Sequence, residues 1–337
     1  MDICQSKYYI KLSNAAYIDK LINKHDWLLN DDKIANIPLP TKNDTTFNQR
    51  MEKAVPPITT KDINQLQSNM GFNYRQAIGE LIFLMVTCRP DISYPLIKLS
   101  QYSNKPAQEH YEAVKHIFKY IKATKLDGIY FWRKNSRNDL PDLPLPITHK
   151  QSYSVDPDSQ CDDPHLIHAA VDSDWAGDSN HRKSVSGIII KYAGGTVYYK
   201  TKFQQTIAMS STEAEFTAAC EAGKAILYIW SILQEIKIPQ NEATTLFIDN
   251  NGALLMANAQ QPTRRTRHMD IKHFALLDWV ERDLLVLKRI NTTDNYSDSM
   301  TKSLGRQLHY RHTDYILGKV IPTYAAAYSL QQPHTTV

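Results

Sequence analysis

The sequence predicts an α/β protein in which a mixed sheet flanked by helices follows a smaller, mostly helical region. Three observations carry this reading. The apolar pattern changes from helical periods before residue 134 to short strands after residue 164. The stretch between them, 134–164, holds five prolines among many Asp, Ser and Asn, the composition of a linker. Carboxylates then recur where strands and helices begin or end: Asp172 in VDSDWAGD, Glu215 in SSTEAEF, Asp249 in LFIDNNG and Asp298 in NYSDSMTK. Carboxylates in apolar surroundings are costly unless paired or metal-bound, so four at such positions suggest a metal site.

With 337 residues the chain is long enough for two domains, and an apolar fraction of 42% suffices for buried cores. The expected division is 1–133, a linker 134–164, a sheet domain 165–310 and a tail 311–337. The longest apolar run, Leu81 to Val86, is far short of the roughly 20 residues a spanning helix needs, so no membrane partner is expected. The N-terminus has no basic region followed by an apolar one. Cys4, Cys88, Cys161 and Cys220 are scattered without a disulfide framework, which fits a reducing compartment. An intracellular site, cytoplasm or nucleus, is therefore expected, and secretion is not.

Taken in order, an alternating segment, Tyr8 to Ser13, precedes a helical pattern in which Tyr17, Leu21 and Leu28 share a face. Residues Asn30 to Gln65, punctuated by Pro38, Pro40, Pro56 and Pro57, read as a long loop. Helices are expected over Tyr74–Cys88, Ile92–Ser103 and Ala107–Ala123, with a strand at Gly128–Arg133. Beyond the linker come strands Leu166–Asp174, Gly187–Ala193 and Thr196–Lys202, with Gly194-Gly195 as a hairpin turn. A helix from Ser211 to about Ile236 follows, opened by Ser211 and Thr212, with Glu213 in its first turn explained by capping and the helix dipole. The strand Thr245–Asp249 leads into a helix at Ala253–Ala259. A carboxylate at the C-terminal end of such a strand is where α/β sheets place ligand groups. A helix Asp270–Asp283, a strand Leu285–Ile290 and a helix Asn295–Leu304 complete the domain, and the tail from Ala325 is expected to be poorly ordered.

The net charge of +4 decides little. Its distribution says more: Arg182, Lys183, Lys191, Lys200 and Lys202 fall in one stretch without an acid, and Arg264, Arg265, Arg267 and His268 form a second cluster. One such run is ordinarily a solvated face; two flanking a carboxylate set point to a polyanion. His268 and His273 have no Cys partner at metal spacing, so zinc is not expected.

The order strand-Asp, helix-Glu, strand-Asp, terminal Asp resembles the RNase H fold, a mixed five-stranded sheet flanked by helices. The strings DSDWAGD, RKSVSGIII, MSSTEAEF, FIDNNGAL, RTRHMDIKHF and YSDSMTKSL more closely resemble the RNase H domain of copia-type retrotransposon Pol polyproteins, covering roughly Ile167 to Leu304. YRQAIGELIFLMVTCRPDISYPLIKLSQY and EHYEAVKHIFKYIKAT resemble the segment after the reverse transcriptase palm, thumb-like and connecting. The resemblance departs at Ser303, where the family has Pro. The Asp-Asp pairs, Asp31-Asp32 and Asp162-Asp163, lie in polar, Pro-bounded loops rather than a palm turn. Polymerase activity is therefore not expected, and the chain reads as a fragment or truncated derivative that starts downstream of the palm.

The resemblance implies a ribonuclease cutting the RNA strand of RNA·DNA hybrids with two Mg²⁺ ions, Mn²⁺ being the alternative. Asp172, Glu215, Asp249 and Asp298 would be the metal ligands, with Asp174 the competitor of Asp172. Ser211 and Thr212 would read the 2′-hydroxyls of the RNA strand. Arg182, Lys183, Lys200, Lys202, Arg264, Arg265 and Arg267 would contact the nucleic acid, mainly its phosphates. The remaining Pol chains are the other partners implied. The rival reading is a catalytically silent nucleic-acid-binding or structural remnant of the retroelement.

Overall fold

The computed structural model describes residues 1–31, 33–39, 44–149, 163–175, 182–257 and 270–325. The chain begins with β1 (Asp2–Gln5), β2 (Tyr9–Ser13), α1 (Ala15–Lys24), α2 (Asp26–Leu29), α3 (Asp44–Lys53) and α4 (Thr60–Met70). It continues through α5 (Tyr74–Thr87), α6 (Ser93–Ser100), α7 (Gln108–Ala123) and β3 (Gly128–Trp132). The second half runs β4 (His168–Asp174), β5 (Val185–Tyr192), β6 (Gly195–Phe203), α8 (Ser211–Glu235), β7 (Thr244–Ile248) and α9 (Asn251–Ala257). It ends with α10 (Asp270–Glu281), β8 (Leu285–Arg289), two 3-10 turns (Thr292–Asp294, Tyr296–Met300) and α11 (Arg306–Ile316).

Two compact units result: Met1–Cys4, Lys11–Ile129 and Lys302–Thr313 in one, Gln5–Ile10, Tyr130–Thr301 and Asp314–Val337 in the other. The division differs from the expected one at three places, each with a local cause. Within the first unit, His309 meets the hydroxyl of Tyr120 at 3.0 Å. Within the second, Tyr9 packs edge-to-face on Tyr130 and Trp132. Its hydroxyl donates to the Pro144 carbonyl, and Leu143 and Leu145 join that cluster, so the described part of the expected linker is packed rather than loose.

The helical unit buries Ile18, Leu21, Leu28, Phe47, Leu81, Leu84, Val114, Ile117 and Phe118 in one core. Residues 30–65, expected as loop, instead contain α3 and the start of α4. α4 has no fully buried residue, so its helical period is weak in sequence, yet Thr59 caps it by accepting from Asp62 N and Gly71 ends it in a left-handed conformation. At the end of α5, Arg89 is fully buried and grips Asp91 in a two-bond fork (2.9 and 2.7 Å). Tyr120 donates to the same carboxylate at 2.7 Å. The guanidinium and this hydroxyl hold Asp91 below the usual carboxylate range against its burial.

The second unit is built on a five-stranded sheet in the order β6-β5-β4-β7-β8. β4, β5 and β6 are antiparallel neighbours, whereas β7 lies parallel to both β4 and β8. This is the RNase H-like mixed sheet, with β4 at its centre. The β5–β6 hairpin turns through Ala193 and Gly194, both at positive φ (50° and 75°). α8 lays Phe216, Ala219, Ala222 and Ile226 against Val171, Ile188, Ile190 and Leu246. Each large aliphatic so buried contributes about 1.5–3 kcal/mol. By length and composition α8 is apolar enough to cross a membrane, although its longest unbroken apolar run is the six residues Ala225–Trp230. Its apolar residues are largely those of this core.

The expected helix Asn295–Leu304 is absent. Asn295 accepts from Ser297 N and Ser297 Oγ and donates to the Val171 carbonyl at 3.0 Å, which holds the segment in 3-10 geometry against β4. α11 was not expected, nor was the burial of Tyr315 and Ile316 in what read as a tail.

Candidate metal centre

Asp172 stands near the end of the central strand, Glu215 in the second turn of α8 and Asp249 just after β7. One oxygen of each lies within 4.8 Å of the others, with Asp172 and Glu215 buried and Asp249 half-buried. The sheet order explains the meeting. β4 and β7 are parallel neighbours, so both chain ends carrying an Asp point to one edge, and α8 crosses above them.

Two glycines let the elements close. Gly252 sits where an added Cβ would lie 2.7 Å from Thr212 Oγ1, so the start of α8 presses directly on the turn after Asp249. Gly187 is the register partner of Asp172. A Cβ there would lie 2.7 Å from Met300 Cβ and 2.8 Å from Thr301 Cγ2. The 296–301 turn therefore lies flat on β5 and delivers the Thr301 hydroxyl, which donates to Asp172 Oδ2.

Glu215 is fixed from the strand side: the Ser173 backbone N–H donates to its Oε1 at 2.8 Å. Gln204 ties the same elements together. Its amide donates to Ser186 Oγ (2.8 Å), the Ala214 carbonyl (2.9 Å) and, at 3.3 Å, Ser173 Oγ. These partners were not legible as site residues, because a backbone donor and a mid-loop Gln carry no motif of their own. Three carboxylate oxygens on rigid elements are the donor set hard divalent cations take, so the residues fit a metal ion.

Asp298 is buried but does not belong to the 4.8 Å group. It sits in the turn that supplies Thr301, the hydroxyl of which also lies 3.2 Å from the Asp298 carbonyl. Asp174, half-buried, is likewise outside the group. The cap of α8 is Ser210 rather than Ser211 or Thr212: its side chain accepts from Glu213 N, and Glu213 accepts from Met209 N. Ser211 is exposed and Thr212 half-buried at the start of the helix.

The basic residues divide. Arg182 is exposed, Lys183 half-buried and Lys202 exposed. Lys200 pairs with Glu221 at 3.2 Å. Lys191 is fully buried with its ammonium 3.3 Å from the centre of the Tyr315 ring, a structural cation–π contact that removes it from any phosphate surface. Lys200, Lys202 and Lys224 line a cavity of about 390 Å³ between β6 and α8, with Gln204, Thr217 and Glu221. Arg264, Arg265, Arg267 and His268 lie outside the described residues, as does the side chain of His273.

No family model matches the chain. Among curated proteins, it is 27% identical over 296 residues to the retrovirus-related Pol polyprotein from transposon TNT 1-94 of Nicotiana tabacum, covering 88% of this chain and 19% of that one. It is 28% identical over 233 residues to the Pol polyprotein from transposon RE1 of Arabidopsis thaliana, covering 69% of this chain and 14% of that one. A protein named secreted RxLR effector protein 161, from Plasmopara viticola, is 31% identical over 156 residues, 46% of this chain and 90% of its own. Among solved structures, an RNase H1 isolated from compost aligns over 41% of this chain and 93% of its own, at 14% identity and a TM-score of 0.33. The fold assignment rests on the strand order and not on that likeness. The chain spans less than a fifth of the two Pol polyproteins. Across both units, therefore, the chain is similar to retrovirus-related Pol polyproteins from transposons.

Proposed function

We propose that the sheet unit is a ribonuclease that cuts the RNA strand of RNA·DNA hybrids, with two Mg²⁺ as its ions and Mn²⁺ as a substitute. The observation that carries this is the convergence of Asp172, Glu215 and Asp249 within 4.8 Å at one edge of an RNase H-like sheet. Bound divalent ions supply an activated water and charge stabilisation for the leaving oxygen. The chain's own part is to hold the ligands: the Thr301 hydroxyl orients Asp172, and the Ser173 N–H orients Glu215. Asp298, buried on the neighbouring turn, is the fourth ligand of this proposal. Ser211 and Thr212, released from capping, serve the 2′-hydroxyls. Arg182, Lys183, Lys200 and Lys202, with Arg264, Arg265 and Arg267, serve the phosphates.

The helical unit is proposed as a thumb- and connection-like remnant of the reverse transcriptase without polymerase chemistry, acting inside the cell beside the remaining Pol chains. The position of Asp298 outside the carboxylate group is what favours the second reading, a silent nucleic-acid-binding remnant. Cleavage of a hybrid labelled on its RNA strand separates the two. The ribonuclease reading requires cutting in Mg²⁺, none in EDTA, and none of the DNA strand. It is abandoned if wild-type chain leaves the hybrid intact in Mg²⁺ and in Mn²⁺.

A further inference from the structure

Trp175 is 47% exposed, three residues beyond Asp172, and its position is fixed: the indole Nε1 donates to the Ala208 carbonyl at 3.0 Å. Ala208 is itself buried and belongs to the segment that leads into α8, two residues before the Ser210 cap. The indole thus bridges the ends of the two elements that carry Asp172 and Glu215. On either side of Ala208, Ile207 is 56% and Met209 79% exposed. A large aromatic ring left half in water usually packs when a partner arrives, and one hydrogen-bonded at its edge has already lost most of its rotamer freedom.

We infer that Trp175, flanked by Ile207 and Met209, is a substrate-contacting ledge on which a nucleoside of the hybrid beside the cut site packs. The inference rests on the ribonuclease reading for the identity of the ligand. Its geometry comes from reach. Three extended residues span at most roughly 10 Å, so Asp172 and Trp175 are close neighbours on the surface. A duplex that sets a phosphate against Asp172 thus has exposed Trp175 within its reach. The apolar edge of a sugar suits an indole, which contributes without reading sequence. The lysine-lined cavity by β6 then handles charge, while the ledge handles apolar contact.

The test is binding of the full chain to a fluorescein-labelled RNA·DNA hybrid in EDTA, read by anisotropy, so that it does not depend on cleavage. Trp175→Ala should weaken binding about 5- to 100-fold, as truncating one aromatic anchor of an interface does. Trp175→Phe keeps a ring but loses the bond to Ala208 and should retain most of the affinity. The hybrid should also quench a part of the tryptophan emission that Trp175→Phe no longer shows, a readout that stands even if the alanine variant fails to fold. Equal losses for Phe and Ala would reduce Trp175 to a strut between two segments and overturn the inference. So would affinities within twofold of wild type, an unchanged quench, or a wild-type chain that does not bind the hybrid. A wild type that binds through Trp175 but does not cut leaves the ledge standing and removes the ribonuclease reading alone.

Discussion

Asp172→Asn keeps the side-chain shape and removes one charge and one ligand from the carboxylate group. Three ionised carboxylates with oxygens within 4.8 Å repel one another by about 3 kcal/mol per pair at an effective dielectric constant of 20. The substitution relieves two of the three pairs. Part of that gain is lost to screening at half-buried Asp249 and to a weaker bond from Thr301, leaving a net stabilisation of about 1–3 kcal/mol for the ion-free unit. For a unit of this size that is a rise in Tm of about 2–12 °C. Mg²⁺ should raise the Tm of the wild type, because an ion that binds only the folded form stabilises it, and should raise that of the variant far less. Hybrid cleavage should fall about 10³-fold or more, as loss of roughly 4 kcal/mol of transition-state stabilisation requires. The assays are calorimetry of the sheet unit's transition with and without Mg²⁺, and hybrid cleavage at saturating Mg²⁺. Asp174→Asn is the control, expected to retain most activity. Identical Mg²⁺ responses of Asp172→Asn and wild type would refute the metal centre, and an inactive Asp174→Asn beside an active Asp172→Asn would refute the choice of ligand.

Gly187→Ala should destabilise the sheet unit by about 1–3 kcal/mol, because its methyl meets Met300 and Thr301 at 2.7–2.8 Å. It should also cut cleavage by moving the Thr301 hydroxyl off Asp172; a stable, fully active variant would show that the turn plays no part. Lys202→Ala with Lys224→Ala should lower the slope of log affinity against log salt by about 1–2, one ion release per phosphate contact, and an unchanged slope would return both to the solvated surface. In the helical unit, His110 accepts from Ala107 N at Nδ1 (2.8 Å) and donates from Nε2 to the Met51 carbonyl (2.9 Å), so it is held neutral, and burial lowers its pKa. The unfolded chain then takes up the proton first, so this unit should lose stability as pH falls below roughly 6.5. His110→Gln should flatten that part of the stability–pH curve, measured by urea unfolding from pH 7.5 to 5; an equal slope in both proteins would assign the dependence elsewhere.

The strands and helices bearing Asp172, Glu215 and Asp249 were legible because each follows a strong apolar period broken by a polar turn. Less was legible wherever tertiary contacts set the structure. α3 lies between Pro40 and Pro56 and sends only Phe47 and Met51 into the core, and α4 buries no residue fully, so their period is faint. The 3-10 turns after β8 depend on Asn295 reaching Val171, a partner distant in sequence. Counting charge placed Lys191 on the basic surface, whereas the Tyr315 ring covers it. The choice of Ser210 over Ser211 as the cap turns on one residue of register, which pattern alone does not resolve.

The parallel pairing of β4 with β7 also sets a timetable. His168 pairs with Thr245, so the central contact of the sheet closes a loop of about eighty residues, slow to form compared with the local β4–β5–β6 meander. During synthesis at roughly 5–20 residues per second, Asp172 is made some 4–15 s before Asp249. Until then the nascent chain carries an antiparallel sheet and two of the three clustered carboxylates. A messenger being translated is thus beside a growing chain that lacks the third ligand, and the proposed cutting site is completed only as the last strands emerge.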